Sequence, residues 1–191
     1  SLESVLEEVE KNKWPTLKQI PLKNAWEWFL KFKDVFEGYS SSQIGKVINA
    51  LKYSLIIKND DDYGTARDLV WMAVALEALY NDYKIKDIVS ITKQISIKVF
   101  TLLGKPKEST LSDRTLEKLY TFRSEFFHGR KDFPAPNYPW ETEKFVDEFM
   151  LGWYDISIKI CTVVIATMQI LIEKDLEKLD FELTFKLVEK N

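Results

Sequence analysis

Apolar residues recur along most of this chain at intervals of three and four, the spacing that gathers them on one face of a helix. Residues 2–11 carry Leu2, Val5, Leu6 and Val9 in that pattern and end at Trp14-Pro15. Residues 24–37 are predicted to form a second helix with a wide aromatic face of Trp26, Trp28, Phe29, Phe32 and Phe36, closed by Gly38. Ser40-Ser41-Ser42 can cap a third helix over residues 43–58, with Ile44, Val47, Ile48, Leu51 and Leu55 on one side. A fourth helix, residues 65–81, is apolar nearly all round from Leu69 to Tyr80, the mark of a central buried element, and Glu77 is its exception. Residues 87–103 form a fifth, stopped by Gly104-Lys105-Pro106. Ser112 or Asp113 can cap a sixth that runs to His128 and is closed by Gly129. A proline-rich loop, Phe133-Pro134-Ala135-Pro136-Asn137-Tyr138-Pro139-Trp140, precedes a long helical stretch over residues 141–173, and residues 175–188 read as a further helix or its continuation.

No segment alternates apolar and polar residues between hairpin turns, so the fold class is all-α, a helical bundle of about seven or eight helices. The first forty residues, 1–40, are the candidate N-terminal appendage packed on a main bundle of residues 41–191. A length of 191 residues with 46% apolar and 30% charged side chains suits one well-cored globular domain and excludes disorder for most of the chain. Only 6 Gly and 6 Pro are present, which leaves long runs free of helix breakers. The most apolar stretch, Ile160 to Ile172, is interrupted by Thr162, Thr167 and Gln169. It falls short of the roughly 20 residues that span a bilayer, so it is expected to be a core helix with no membrane role.

A net charge of -3 provides no global field that would draw the chain to nucleic acid or anionic lipid, so any such contact must be local. The lone Cys161 cannot form an internal disulfide or a thiolate cluster; it suits a reducing cytoplasm and is expected to pack as a small hydrophobe. Phosphate loops, HExxH, CxxC, GxSxG and EF-hand patterns are absent, which argues against those enzyme classes and leaves no cofactor or metal expected. With one histidine, a metal site of several imidazoles is excluded within one chain. The chain opens Ser1-Leu2-Glu3-Ser4, without methionine or a secretory leader, and is expected to be an excised or processed piece of a longer protein.

That histidine, His128, closes the run Leu119-Tyr120-Thr121-Phe122-Arg123-Ser124-Glu125-Phe126-Phe127-His128-Gly129-Arg130. In the last helical turn it faces the negative end of the helix dipole, which favours the imidazolium and suits proton transfer. It can equally cap the last carbonyls. Arg123 lies five residues earlier, about 140° away around the helix, so the two do not share a face of one straight helix. A shared site needs either a loosened helix end or two copies of the chain whose helices line one cleft, the geometry of a symmetric homodimer. Glu77, in its apolar helix, needs a partner, and Arg123 is the first candidate; the open alternative is a polar edge reaching solvent. Tyr120 is expected to pack in the core.

The pattern Tyr-x-x-Arg-Ser-x-x-x-His-Gly at a helix end resembles the signature of HEPN domains, in particular the Apea-like branch. The earlier run Trp71-Met72-Ala73-Val74-Ala75-Leu76-Glu77-Ala78-Leu79-Tyr80 is similar to the central helix of that family. Together they cover residues 65–140. The resemblance implies a helical domain that dimerises so that two Arg/His pairs face each other across a cleft. Many members are metal-independent endoribonucleases of toxin–antitoxin and antiviral systems, and others are non-catalytic dimerisation or RNA- and nucleotide-binding modules of larger proteins. By this analogy Arg123 and His128 are the catalytic pair, with RNA as substrate, an antitoxin or further domains as partners, and 2′,3′-cyclic phosphate and 5′-hydroxyl ends as products. The division suits the side chains, since arginine is permanently charged and bidentate to phosphate while histidine moves protons near neutrality. Ser124 departs from the Asn, Asp or His that many active members carry there, though it can still exchange hydrogen bonds and suits the Apea-like branch. Arg130 and Lys131 extend the positive charge and are candidate phosphate contacts. Aromatics of the proline-rich loop can stack bases or pack on the bundle.

Overall fold

The structure, a computed structural model, describes residues 2–38, 42–56, 65–80, 90–106, 113–130 and 152–181. Among the described residues there are seven α-helices and no strands, an all-α bundle. They are α1 (Leu2–Asn12), α2 (Leu22–Phe29), α3 (Gln43–Leu51), α4 (Thr65–Tyr80), α5 (Ile91–Leu103), α6 (Asp113–Phe127) and α7 (Gly152–Glu173). The proline-rich loop, residues 141–151 and Lys131 lie outside the described residues.

The central element is α4, which packs on α3, α5, α6 and α7. Its apolar circumference explains this: Leu69, Met72, Ala73, Ala75, Leu76, Leu79 and Tyr80 are all buried, covering more than one face of the helix. The partner helix α7 presents Ile160, Val163, Val164 and Leu171 to the same core, with Cys161 buried among them. Each fully buried aliphatic side chain here contributes about 1.5–3 kcal/mol relative to exposure. Val5, Trp14, Trp28, Phe32 and Val35 from the first forty residues join that same hydrophobic cluster.

Several elements differ from their sequence expectation. The second helix stops at Phe29 and tightens into a 3₁₀ segment over Leu30–Val35, with Phe32 in a non-helical conformation, before Gly38 turns at φ +98°. The break at Phe32 turns the chain within this segment, and Phe32 and Val35 are buried with Phe29 half-buried against the core. The third helix begins after Ser42, whose Oγ accepts from the Gly45 N–H at 2.9 Å, but passes into a π-helical turn over Lys52–Ile56. The fifth begins later than residue 87, because Ser90 is its extended N-cap and accepts from the Lys93 N–H.

The end of α7 carries the largest correction, since the expected helix from residue 175 is absent over the described part of that range. Asp175 adopts φ +54°, the Leu176 N–H donates to the Leu171 carbonyl at 2.9 Å, and the Asp175 N–H donates to that of Ile172 at 3.2 Å. This is a Schellman cap, and aspartate is among the few residues besides glycine that tolerate the left-handed position. Residues 176–181 are then tied across the bundle, where Trp28 Nε1 donates to the Leu176 carbonyl at 2.9 Å and the Leu179 N–H donates to Gln43 Oε1 at 3.3 Å.

The length expected for the apolar stretch is also corrected. At 22 residues, with a window of mean hydropathy 1.8, α7 is long and apolar enough to cross a bilayer by length and composition. Yet 61% of that window is buried inside the fold, so its apolar surface meets α1, α4 and α5.

Candidate functional site

The last turns of α6 are shaped by an apolar inner face. Leu116, Leu119 and Phe122 are fully buried, and Phe122 contacts Trp153 of α7 at 4.5 Å between ring centroids. Tyr120 is half-buried and packs against the core. This register brings Arg123 to the boundary between α6 and α4. Its Nη1 lies 3.4 Å from Glu77 Oε1, with the side chains 34% and 16% exposed, so the pair sits at the edge of the core. The contact is an ion pair rather than an aligned hydrogen bond, for Glu77 Oε1 and Arg123 Nε are buried without a hydrogen-bond partner. Arg123 is further held over the Phe127 ring, 5.5 Å from its centroid, one helical turn on.

His128 stands at the helix end, where the carbonyls are satisfied by the backbone. The Arg130 N–H donates to the Glu125 carbonyl at 2.9 Å and the Gly129 N–H to that of Phe126 at 3.1 Å, with Gly129 at φ +62°. This Schellman arrangement needs a residue without a Cβ penalty at Gly129, and it satisfies the Glu125 and Phe126 carbonyls without the imidazole. Among the described residues the exposed His128 side chain has no hydrogen-bonding partner, so the alternative in which it caps the last carbonyls is not what the helix end uses.

The predicted residues therefore divide into two sets. Arg123, Glu77 and Tyr120 face the α4 side, while Ser124 and His128, four apart, share the exposed side. Arg130 is exposed just beyond. No contact joins Arg123 to His128 within the chain among the described residues. The helix does not loosen enough to merge them. Phe127, which the sequence reading left out, stands 60% exposed between the two sets; its signal was the four-residue spacing from Arg123.

Chemically the arrangement offers an anchored guanidinium for an anion, an imidazole that is exposed and without a hydrogen-bonding partner among the described residues, and the Ser124 hydroxyl on the same side. Among the described residues no group of three or more His, Cys, Asp or Glu side chains is placed to hold a metal ion. No protein-family model, curated protein or solved structure matches the chain.

Proposed function

We propose that this chain is a HEPN-like, metal-independent endoribonuclease of toxin or antiviral-defence type, working in the cytoplasm through a composite Arg/His site at a homodimer cleft. The observation that carries the reading is that one helix end holds both an arginine anchored by Glu77 and, five residues on, an exposed imidazole, His128, without a hydrogen-bonding partner among the described residues. A buried carboxylate that fixes a guanidinium at the protein surface pre-orients it for a phosphate and lowers the cost of ordering it on binding.

In this mechanism the 2′-oxygen of the substrate ribose attacks the adjacent phosphorus as its proton is removed, and the 5′-oxygen of the next nucleotide leaves with a proton. His128 transfers protons at one of these oxygens, and Arg123 balances the charge that grows on the phosphoryl oxygens. Ser124 donates a hydrogen bond to the same group, and Arg130 and Lys131 steer the backbone. Because Arg123 and His128 lie on different sides of α6, each cleft draws its residues from two copies. The engagement of Arg123 by Glu77 favours a second reading, a non-catalytic HEPN-like module that dimerises or docks RNA or a nucleotide within a larger protein.

Cleavage of a mixed pool of tRNA and single-stranded RNA in EDTA separates the two. The nuclease reading expects cutting that His128→Ala and Arg123→Ala each abolish, with helicity retained by circular dichroism and cyclic phosphate ends on the products. A wild type that binds RNA as a dimer without cutting it supports the module. A monomer at micromolar concentration that neither binds nor cuts overturns both.

A further inference from the structure

We propose that Phe127 is a base-stacking platform that makes the site selective for single-stranded RNA, an inference that rests on the endoribonuclease reading of the same site. Phe122 and Phe126 already supply the apolar side of this turn, with their rings nearly parallel at 6.5 Å between centroids. Phe127 adds little to the core, since 60% of it is exposed. It is nonetheless held in place, edge-to-face against Phe126 at 5.4 Å and beneath the Arg123 guanidinium at 5.5 Å. A large, fixed, exposed ring beside a permanent cation offers a stacking face and a charge to something flat and anionic.

A nucleotide has those two parts, a planar base for the ring and a phosphate for the guanidinium. An apolar protein surface is a poorer match, because covering Phe127 would strip solvent from Arg123, which is 34% exposed, and leave its charge facing no new partner. Charge complementarity therefore favours the nucleotide: Arg123 lies over the ring and Arg130 is exposed three residues on, with the half-buried Glu125 in the same turn and Glu77 already paired. His128 lies about 100° further round α6 than Phe127, so the imidazole that meets the stacked nucleotide's ribose comes from the second copy across the cleft. Duplex RNA cannot use such a platform, since its bases are already stacked within the helix. The ring thus selects unpaired nucleotides without reading which base they carry.

The test uses the full chain and three fluorescent probes, all 2′-O-methylated to prevent cleavage: a short oligouridylate, an abasic oligomer of equal length and a duplex. Anisotropy is expected to show the oligouridylate bound about tenfold more tightly than the abasic chain. Phe127→Leu is expected to erase that difference and Phe127→Trp to keep it, both remaining folded and dimeric. If Phe127→Leu preserves the preference for bases while the wild type still cuts RNA, the platform is refuted and the nuclease reading stands. If Phe127→Leu splits a dimer into monomers, the ring belongs to an interface between copies and the proposal fails. If the wild type binds none of the probes and cuts no RNA, the functional reading falls first and takes the platform with it.

Discussion

Removing either partner of the Glu77–Arg123 pair should cost the fold unequally, because the two side chains are buried to different degrees. At 3.4 Å and an effective dielectric near 20, the gross attraction is about 5 kcal/mol. Most of this is offset by the desolvation of both ions and, with Arg123 34% exposed, by solvent screening. Glu77→Gln leaves a guanidinium that can still reach water and should cost roughly 1 kcal/mol. Arg123→Met leaves a carboxylate whose Oε1 is buried without a hydrogen bond, and should cost roughly 3 kcal/mol, the lower end for a deserted buried charge. The double variant removes both charges and should cost only about 2 kcal/mol, a coupling of about 2 kcal/mol. Urea unfolding followed by far-ultraviolet circular dichroism at pH 7 measures all four proteins. Equal costs for the two single variants, or costs that add to within about 0.5 kcal/mol, would refute the claim that Glu77 is the buried anchor and Arg123 the surface end.

Burial raises the Tyr80 phenol well above the ordinary tyrosine range, an effect its hydrogen bond with Thr167 only partly opposes. The unfolded chain therefore releases this proton first, and stability that is complete below about pH 10 is lost as pH rises toward the folded value, at up to about 1.4 kcal/mol per pH unit. Tyr80→Phe should flatten that alkaline loss relative to wild type in denaturant titrations between pH 9 and 11, and an unchanged slope would contradict it. Gly129→Ala should destabilise by about 1 kcal/mol through backbone strain alone, since a Cβ there meets nothing within 4 Å. His128→Ala should shift the urea midpoint by almost nothing, and a loss comparable to that of Gly129→Ala would restore the imidazole to a capping role.

The helices most legible in the sequence are those whose apolar pattern is longest. The all-round apolar run from Leu69 to Tyr80 announced the central helix, and the Ser42 and Gly129 signals marked true ends because capping is chemistry between near neighbours. The same locality made Glu77 a residue in need of a partner, an expectation the ion pair with Arg123 meets. What remained hidden depended on distant contacts. The kinked 3₁₀ segment after Phe29 accompanies the burial of Trp28, Phe32 and Val35 in the common core, and the break at Asp175 accompanies backbone groups captured by Trp28 and Gln43 from far along the chain. The candidate site divides in the same way. Spacing alone placed Arg123 and His128 on different sides of a helix, since rotation per residue is a property of the backbone. Only tertiary packing decided that Arg123 would be held at the core's edge by Glu77 and that Phe127 would be left exposed, because burial is set by which surfaces meet and no local pattern records that.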